Sequence, residues 1–239
     1  MQPLLKIYGP KSIIISRWQP LEMFAMASYS KCVEDAPEHS LKYSWNLFQG
    51  VNFVPTISSQ SPDFRYFKLD PFTLSASTVY TLQAIVSFQS ATTNIPVVSQ
   101  SSVLIFVGRS GVLARIKGGM KQTASVNQTF FLDASSSHDI DYPNSAGISY
   151  AWACKVIGSP YGSDCVGFSG SALSFITYTS SYANLLVFTV YVTSSSGDSS
   201  SDSCNVQFTV ATIPILSISQ YNKTYNVGDK IIISAKVAA

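Results

Sequence analysis

Apolar and polar residues alternate with a period of two along much of this chain. The runs SVLIFVGR (102–109), TVYTLQAIVSF (78–88), QTFFLDAS (128–135), LLVFTVYVTS (185–194) and CNVQFTVAT (204–212) are rich in β-branched and aromatic residues. Such alternation puts one face of a strand in the core and the other in water, so each run predicts a β-strand. Clusters of Pro, Gly, Ser and Asn separate the runs and predict turns. No window carries an apolar stripe at helical spacing with caps at its ends. KCVEDAPEHSLKYSW (31–45) has the charge for a short helical turn, but Pro37 interrupts it. The tracts TISSQSP (56–62) and SSSGDSSSDS (194–203) read as solvated hairpin loops, open to O-linked glycans.

The pattern repeats. LLKIYGPKSIIISRWQPLEMFAMAS (4–28), VLARIKGGMKQTASVNQTFFLDASS (112–136) and ILSISQYNKTYNVGDKIIISAKVAA (215–239) each open on an apolar strand centred on an isoleucine. A polar turn follows, then a second strand ending in a small residue. The isoleucines Ile7, Ile116 and Ile218 are 109 and 102 residues apart, and the alanines Ala27, Ala134 and Ala235 are 107 and 101 apart. Trp45, in Tyr-Ser-Trp, follows Ala27 by 18 residues, and Trp152, in Tyr-Ala-Trp, follows Ala134 by the same 18. A period near 100 is the size of an immunoglobulin-like sandwich. The expectation is an all-β chain of tandem immunoglobulin-like, fibronectin III-like sandwiches. Residues 1–109 form one module, 110–212 a second, and 213–239 the start of a third that the chain truncates. Trp45 and Trp152 are expected in the two cores. In LSASTVYTLQA (74–84), Tyr80 is expected as a buried corner tyrosine whose hydroxyl bonds backbone.

Composition narrows the function. Charged residues are 12% of the 239 and the net charge is +2, with no dense cluster of Lys and Arg. That argues against a nucleic-acid surface. No run reaches the roughly 18 apolar residues of a membrane helix, and the start has no signal-peptide pattern. For a secreted or anchored protein, signal and anchor therefore lie outside this chain, and contact with a membrane is through those parts only. The sequons Asn127-Gln-Thr and Asn222-Lys-Thr are N-glycosylation acceptors in the secretory pathway. With the cysteines and the Ser/Thr-rich surface, they lean extracellular.

One motif carries a family resemblance. Leu132-Asp-Ala-Ser-Ser-Ser-His-Asp-Ile-Asp, followed by Ile148-Ser-Tyr-Ala-Trp-Ala-Cys, is similar to the L-D-x-S-x-S-x-D-x-D … L-x-Y-x-W-x-C signature. That signature belongs to PKD repeats and to the receptor-for-egg-jelly (REJ) region of polycystin-1-type proteins. Leu113-Ala-Arg-Ile-Lys-Gly-Gly resembles the opening of a REJ module. Plain PKD repeats carry W-x-F-G-D-G, whereas Trp45 is followed by Asn-Leu-Phe-Gln-Gly and Trp152 by Ala-Cys-Lys-Val, which favours REJ. The resemblance is good over 110–212, fainter over 1–109, and covers only the opening of the third copy. It implies a non-catalytic extracellular array, at a cell surface that includes the ciliary membrane, serving adhesion, ligand contact or force transmission. Its partners would be other extracellular proteins, glycans, or neighbouring modules of the same chain. The alternative is a carbohydrate-binding module of a larger secreted protein, with Tyr161, Phe168, Tyr178 and Tyr182 as a stacking platform.

Candidate chemistry is sparse. Asp133, Asp139 and Asp141 are close enough in sequence for a calcium loop, though no EF-hand glycine and terminal acid follow. The competing reading is turn chemistry, with the carboxylates bonding backbone amides. No other cofactor is expected. With two histidines, His39 and His138, and no G-x-S-x-G, no catalytic set assembles. Cys154 and Cys165 flank ten residues containing Gly and Pro, and are expected to form a disulfide stabilising by about 2 to 3 kcal/mol. Cys32 and Cys204 lie in different modules; a bond between them, a partner elsewhere and no partner all remain open. Trp18, before Gln-Pro, is a candidate contact residue.

Overall fold

The computed structural model describes residues 3–28, 41–89, 96–145, 147–158, 160–211, 213, 215–218 and 235–238. Among them there is no α-helix. The chain divides into two compact units, Met1–Gly111 with Ile140–Pro143, and Val112–Asp139 with Asn144–Ala239. His39, Cys32 and Asn222 lie outside the described residues.

The first unit holds β1 (Leu4–Tyr8), β2 (Ser12–Ser16), β3 (Leu21–Ser28), β4 (Lys42–Gln49), β5 (Asn52–Phe53), β6 (Tyr66–Leu69), β7 (Thr78–Gln89) and β8 (Pro96–Gly108). They form a three-stranded sheet, β1-β3-β6, and a five-stranded sheet, β2-β8-β7-β4-β5. The chain leaves the first sheet after β1 and enters the second at β2. Gly9 sits at that crossing with φ +122°, where a side chain would be strained. Alternation sets the packing. Leu21, Met23, Ala25 and Ala27 of β3 point inward, as do Leu82, Ala84 and Val86 of β7 and Val103, Ile105 and Val107 of β8. Each large aliphatic side chain so buried contributes about 1.5 to 3 kcal/mol by leaving water.

The second unit holds β9 (Val112–Leu113), β10 (Lys121–Ser125), β11 (Phe130–Asp133), β12 (His138–Asp139), β13 (Ile148–Val156), β14 (Phe175–Tyr178), β15 (Leu185–Ser194) and β16 (Ser199–Thr209). A four-stranded sheet runs β10-β16-β15-β13, with two-stranded pairs β11-β14 and β12-β9. A further pair joins β17 (Ile215–Ile218) to β18 (Ala235–Ala238), antiparallel. In each unit one edge pairing is parallel, β2 with β8 and β10 with β16, while the other pairings are antiparallel. That shared arrangement is the immunoglobulin-like sandwich the repeat period predicts. The second core gathers Leu132, Ala134, Trp152, Ile176, Phe188, Val190, Val206 and Phe208.

One segment departs from expectation. Ser199–Ser203 are strand, the first half of β16, and not loop. Thr193 lies opposite Ser199, and the turn is confined to 195–198. The reason is the length of β15, whose ladder pairs the serines' backbone. Their side chains alternate, and the outward Ser203 hydroxyl meets Thr189 at 2.9 Å.

Candidate functional site

Two of the aspartates, Asp133 and Asp141, bond backbone amides. Asp133 closes β11: its Oδ1 accepts the Ser135 N–H at 2.7 Å and its Oδ2 accepts from Lys117 Nζ at 2.7 Å. The Lys117 ammonium, helped by Ser135, lowers its carboxyl to about 2. Asp139 is buried in β12, in register with Val112 of β9. Asp141 belongs to the first unit, where its Oδ2 accepts the Ser110 N–H at 2.7 Å and its carbonyl accepts from the Arg17 guanidinium. That guanidinium lies 4.2 Å from the centre of the Tyr142 ring and 5.4 Å from that of Phe72. Among the described residues no group of three His, Cys, Asp or Glu could hold a metal ion. The carboxylates of Asp133 and Asp141 thus bond backbone amides and a lysine, the turn chemistry that competes with the calcium expectation for Asp133, Asp139 and Asp141. His138 sets Nδ1 3.1 Å from the Ser136 carbonyl oxygen and stays within its own turn.

The framework residues fall where the repeat put them. Cys154 and Cys165 are joined by a disulfide, and both are buried in the second core. Cys204 is a free thiol at 0% exposure, which burial pushes up from its ordinary range. Trp152 is buried and donates Nε1–H to the Leu173 carbonyl at 3.0 Å. Trp45 is half-buried, packs on both core patches of the first unit and donates Nε1–H to the Phe64 carbonyl at 2.9 Å. Tyr80 is buried, and its hydroxyl accepts the Ser75 N–H at 3.2 Å, the corner geometry.

The four aromatics expected as a sugar platform do not form one. Phe168 and Tyr178 pack edge-on against Phe188, with centroids 5.7 and 5.4 Å away, and so belong to the core. Tyr161 and Tyr182 are exposed. Trp18 is exposed in the turn after β2.

An aromatic row that the sequence did not reveal crosses the outer face of the three-stranded sheet. Tyr8 of β1 lies opposite Phe24 of β3, and Phe24 opposite Tyr66 of β6. Their centroids are 5.5 and 4.7 Å apart, tilted by 35° and 38°. Lys6 sits 5.2 Å over Tyr8 and Lys68 5.4 Å over Tyr66. Lys68 is also bridged to Glu22 at 3.0 Å. Exposed Leu4 and Met26 extend the same face. The signal was present as the outward positions of LLKIY, LEMFAMAS and YFKL, but only the register brings them into one row. A separate cleft of about 640 Å³ is lined by Leu41, Tyr43, Pro62 and Phe64 with Lys42, Asp63 and Arg65. Its Asp63 and Arg65 already pair with each other at 2.7 Å.

Two all-β units with one parallel edge pair each define an immunoglobulin-like β-sandwich protein, a class typically non-catalytic. The chain belongs to the REJ domain family, whose model matches residues 25–234 and so runs through both units. REJ domains are extracellular in polycystin-type proteins, and membership of the family supports an extracellular β-sandwich protein. No helix among the described residues is long and apolar enough to cross a membrane. No curated protein matches by sequence. Similar solved structures include the three N-terminal domains of the highly immunogenic outer capsid protein Hoc of bacteriophage RB49, at 13% identity. That match covers 88% of this chain and 71% of that one, with TM-score 0.32. Fibronectin(III)-like modules of CbhA from Clostridium thermocellum match at 14% identity, covering 86% and 94%, with TM-score 0.30. The insect immune protein hemolin matches at 12% identity, covering 87% and 50%, with TM-score 0.31. Superpositions this loose carry no argument of their own; strand order and register carry the fold class.

Proposed function

We propose that this chain is a non-catalytic adhesion or ligand-contact segment of a polycystin-1-like cell-surface protein, including one of the ciliary membrane. Any membrane attachment is through parts outside this chain. The observation that carries the reading is the Tyr8–Phe24–Tyr66 row with Leu4 and Met26 beside it. Exposed aromatics and Met with a charged rim are the composition of protein interface cores. A protein partner fits this row better than a glycan. A sugar stacks on a flat platform of exposed rings, and here neighbouring rings are tilted by 35° and 38° to one another. That tilt favours the protein-contact reading over the carbohydrate-binding one at this face. Residues 213–239 are proposed as the opening of a third module, because β17 pairs β18 as β1 pairs β3. Asn127, exposed in a tight turn at φ +60°, is proposed as an N-glycan site, and so is Asn222, the second sequon, which lies outside the described residues.

The test is adhesion of beads coated with the chain to cells treated with protease or with glycosidases. Protease should abolish binding, glycosidase should spare it, and Tyr8→Ala with Lys6→Glu should lower it about tenfold, a loss typical of one contact residue. Binding lost only after glycosidase would favour the carbohydrate reading.

A further inference from the structure

Tyr182 presents its ring to water, 71% exposed, on the loop between β14 and β15. Its backbone is held from both sides. The buried Ser180 hydroxyl accepts the Tyr182 N–H at 3.2 Å and donates to the Tyr182 carbonyl at 2.8 Å. The loop is anchored in turn at Asn184, whose carbonyl accepts the Phe208 N–H at 2.8 Å. The sequon turn lies against this loop. Asn127 N–H donates to the Ser180 carbonyl at 2.8 Å, and the Thr179 hydroxyl donates to that of Thr129, the sequon threonine, at 3.5 Å. Tyr182 is two residues beyond Ser180, a span of at most about 7 Å along the chain. Both segments belong to the second unit. Asn127, Gln128 and Thr129 are exposed, and Asn127 holds φ +60°, a conformation that Asn adopts more readily than most residues.

We infer that the first sugar of an N-glycan on Asn127 packs on the Tyr182 ring. The inference rests on the reading of Asn127 as a glycan site and says what that glycan does. A pyranose carries a face of C–H groups, slightly positive, and a tyrosine ring offers a negative face to receive them. One ring is a poor receptor for a free sugar, because a single stacking contact does not offset the freedom lost on association. A sugar bonded to Asn127 Nδ2 has lost that freedom already. Its effective concentration at a ring on the neighbouring loop is on the order of millimolar or above. The two turns that set the geometry are ordered by the bonds from Asn127 and Ser180, so contact orders little else. The occupant of the Tyr182 ring is therefore the chain's own glycan. It ties the sequon turn to the 179–184 loop and stabilises the second unit against opening at that end.

The test uses the full chain secreted from cells that add oligomannose glycans, with Thr224→Ala removing the Asn222 sequon. Mass spectrometry reads occupancy of Asn127. Endoglycosidase H then leaves one N-acetylglucosamine on the asparagine, and peptide N-glycosidase removes every sugar. Hydrogen exchange of β15 and β16 amides reads opening of the second unit. The chain with its whole glycan and the chain with the single sugar should both open about fivefold less than the stripped chain, the effect of one aromatic stacking contact. Tyr182→Phe should keep that difference. Tyr182→Ala should abolish it, whereas a glycan acting by bulk alone would protect both chains equally. The stripped Tyr182→Ala chain should fold as the stripped wild type does, since the ring points to water. An Asn127 found bare overturns the glycan reading and this inference with it. An occupied Asn127 whose protection is the same in the wild type and in Tyr182→Ala overturns this inference alone.

Discussion

Removing the Cys154–Cys165 bond tests how far the second unit depends on one staple. The bond closes a loop of sequence separation 11. Constraining that loop in the unfolded chain is worth about 2.8 kcal/mol at 25 °C by loop-closure entropy. Both cysteines are also buried, at 3% and 4% exposure, in the core that holds Trp152 and Phe188. Truncating each sulfur adds about 1 kcal/mol for lost packing. Reduction of the wild type keeps the sulfurs and loses only the cross-link, so it should cost about 2.8 kcal/mol, and Cys154→Ala with Cys165→Ala about 4 to 5 kcal/mol. Backbone bonds from Cys165 N–H to the Cys154 carbonyl at 3.3 Å and from Val156 N–H to the Ser163 carbonyl at 2.9 Å hold the folded loop in both cases. The folded structure should therefore survive at lower stability. Urea unfolding followed by hydrogen exchange of β13 and β15 amides measures the second unit by itself. Reductant should leave the second unit of the double variant unchanged, because the cysteine that remains there, Cys204, is buried and its thiol is pushed up, away from thiolate exchange. A reduced wild type as stable as the oxidised one would refute the entropic argument, since the expected loss of about 2.8 kcal/mol exceeds the roughly 10 to 15% error of the extrapolation.

The strands were legible because period-two alternation is itself the product of a sheet with one wet face. β15 matches the run LLVFTVYVTS at both ends. β16 was read too short because serine is a poor strand former in isolation; a long partner strand overrides that preference. The repeat of Tyr-x-Trp placed both tryptophans, and the same register sets Met26 in the first copy where the second has Asp133. Trp45 came out half-buried because its indole is shared between two core patches, a packing detail that no spacing encodes. Asp141 was illegible for a different reason. Its partners Ser110 and Arg17 are 31 and 124 residues away, so these contacts are set by the fold and leave no trace in the local sequence. The aromatic row of the three-stranded sheet shares that obscurity. Single exposed aromatics mean little, and only cross-strand register turns Tyr8, Phe24 and Tyr66 into a row.

Three further outcomes follow from named bonds. Tyr80→Phe keeps the ring in the core and removes the acceptor of the Ser75 N–H; it should cost about 1 kcal/mol in urea unfolding, and an unchanged midpoint would show that water replaces the bond. Trp152→Phe should destabilise more than Trp45→Phe, by about 1 kcal/mol, because equal Nε1 bonds are lost but only Trp152 is fully buried; equal losses would deny that burial sets the difference. Asp133→Asn probes the Lys117 pair through pH. A carboxyl held at about 2 in the folded chain, against 3.8 ordinarily, contributes stability that is present above about pH 4 and lost as the pH falls toward 2. The full shift would be worth about 2.4 kcal/mol. Lys117 is 53% and Asp133 24% exposed, so solvent screening reduces this to about 1 kcal/mol. The asparagine retains an oxygen for the Ser135 N–H, so the variant isolates the charge. Wild type should exceed it by that margin at pH 6 and low salt, and the two curves should converge near pH 2. Parallel curves from pH 6 to 2 would mean that the ion pair, for all its 2.7 Å geometry, contributes nothing and Asp133 acts as a turn cap alone.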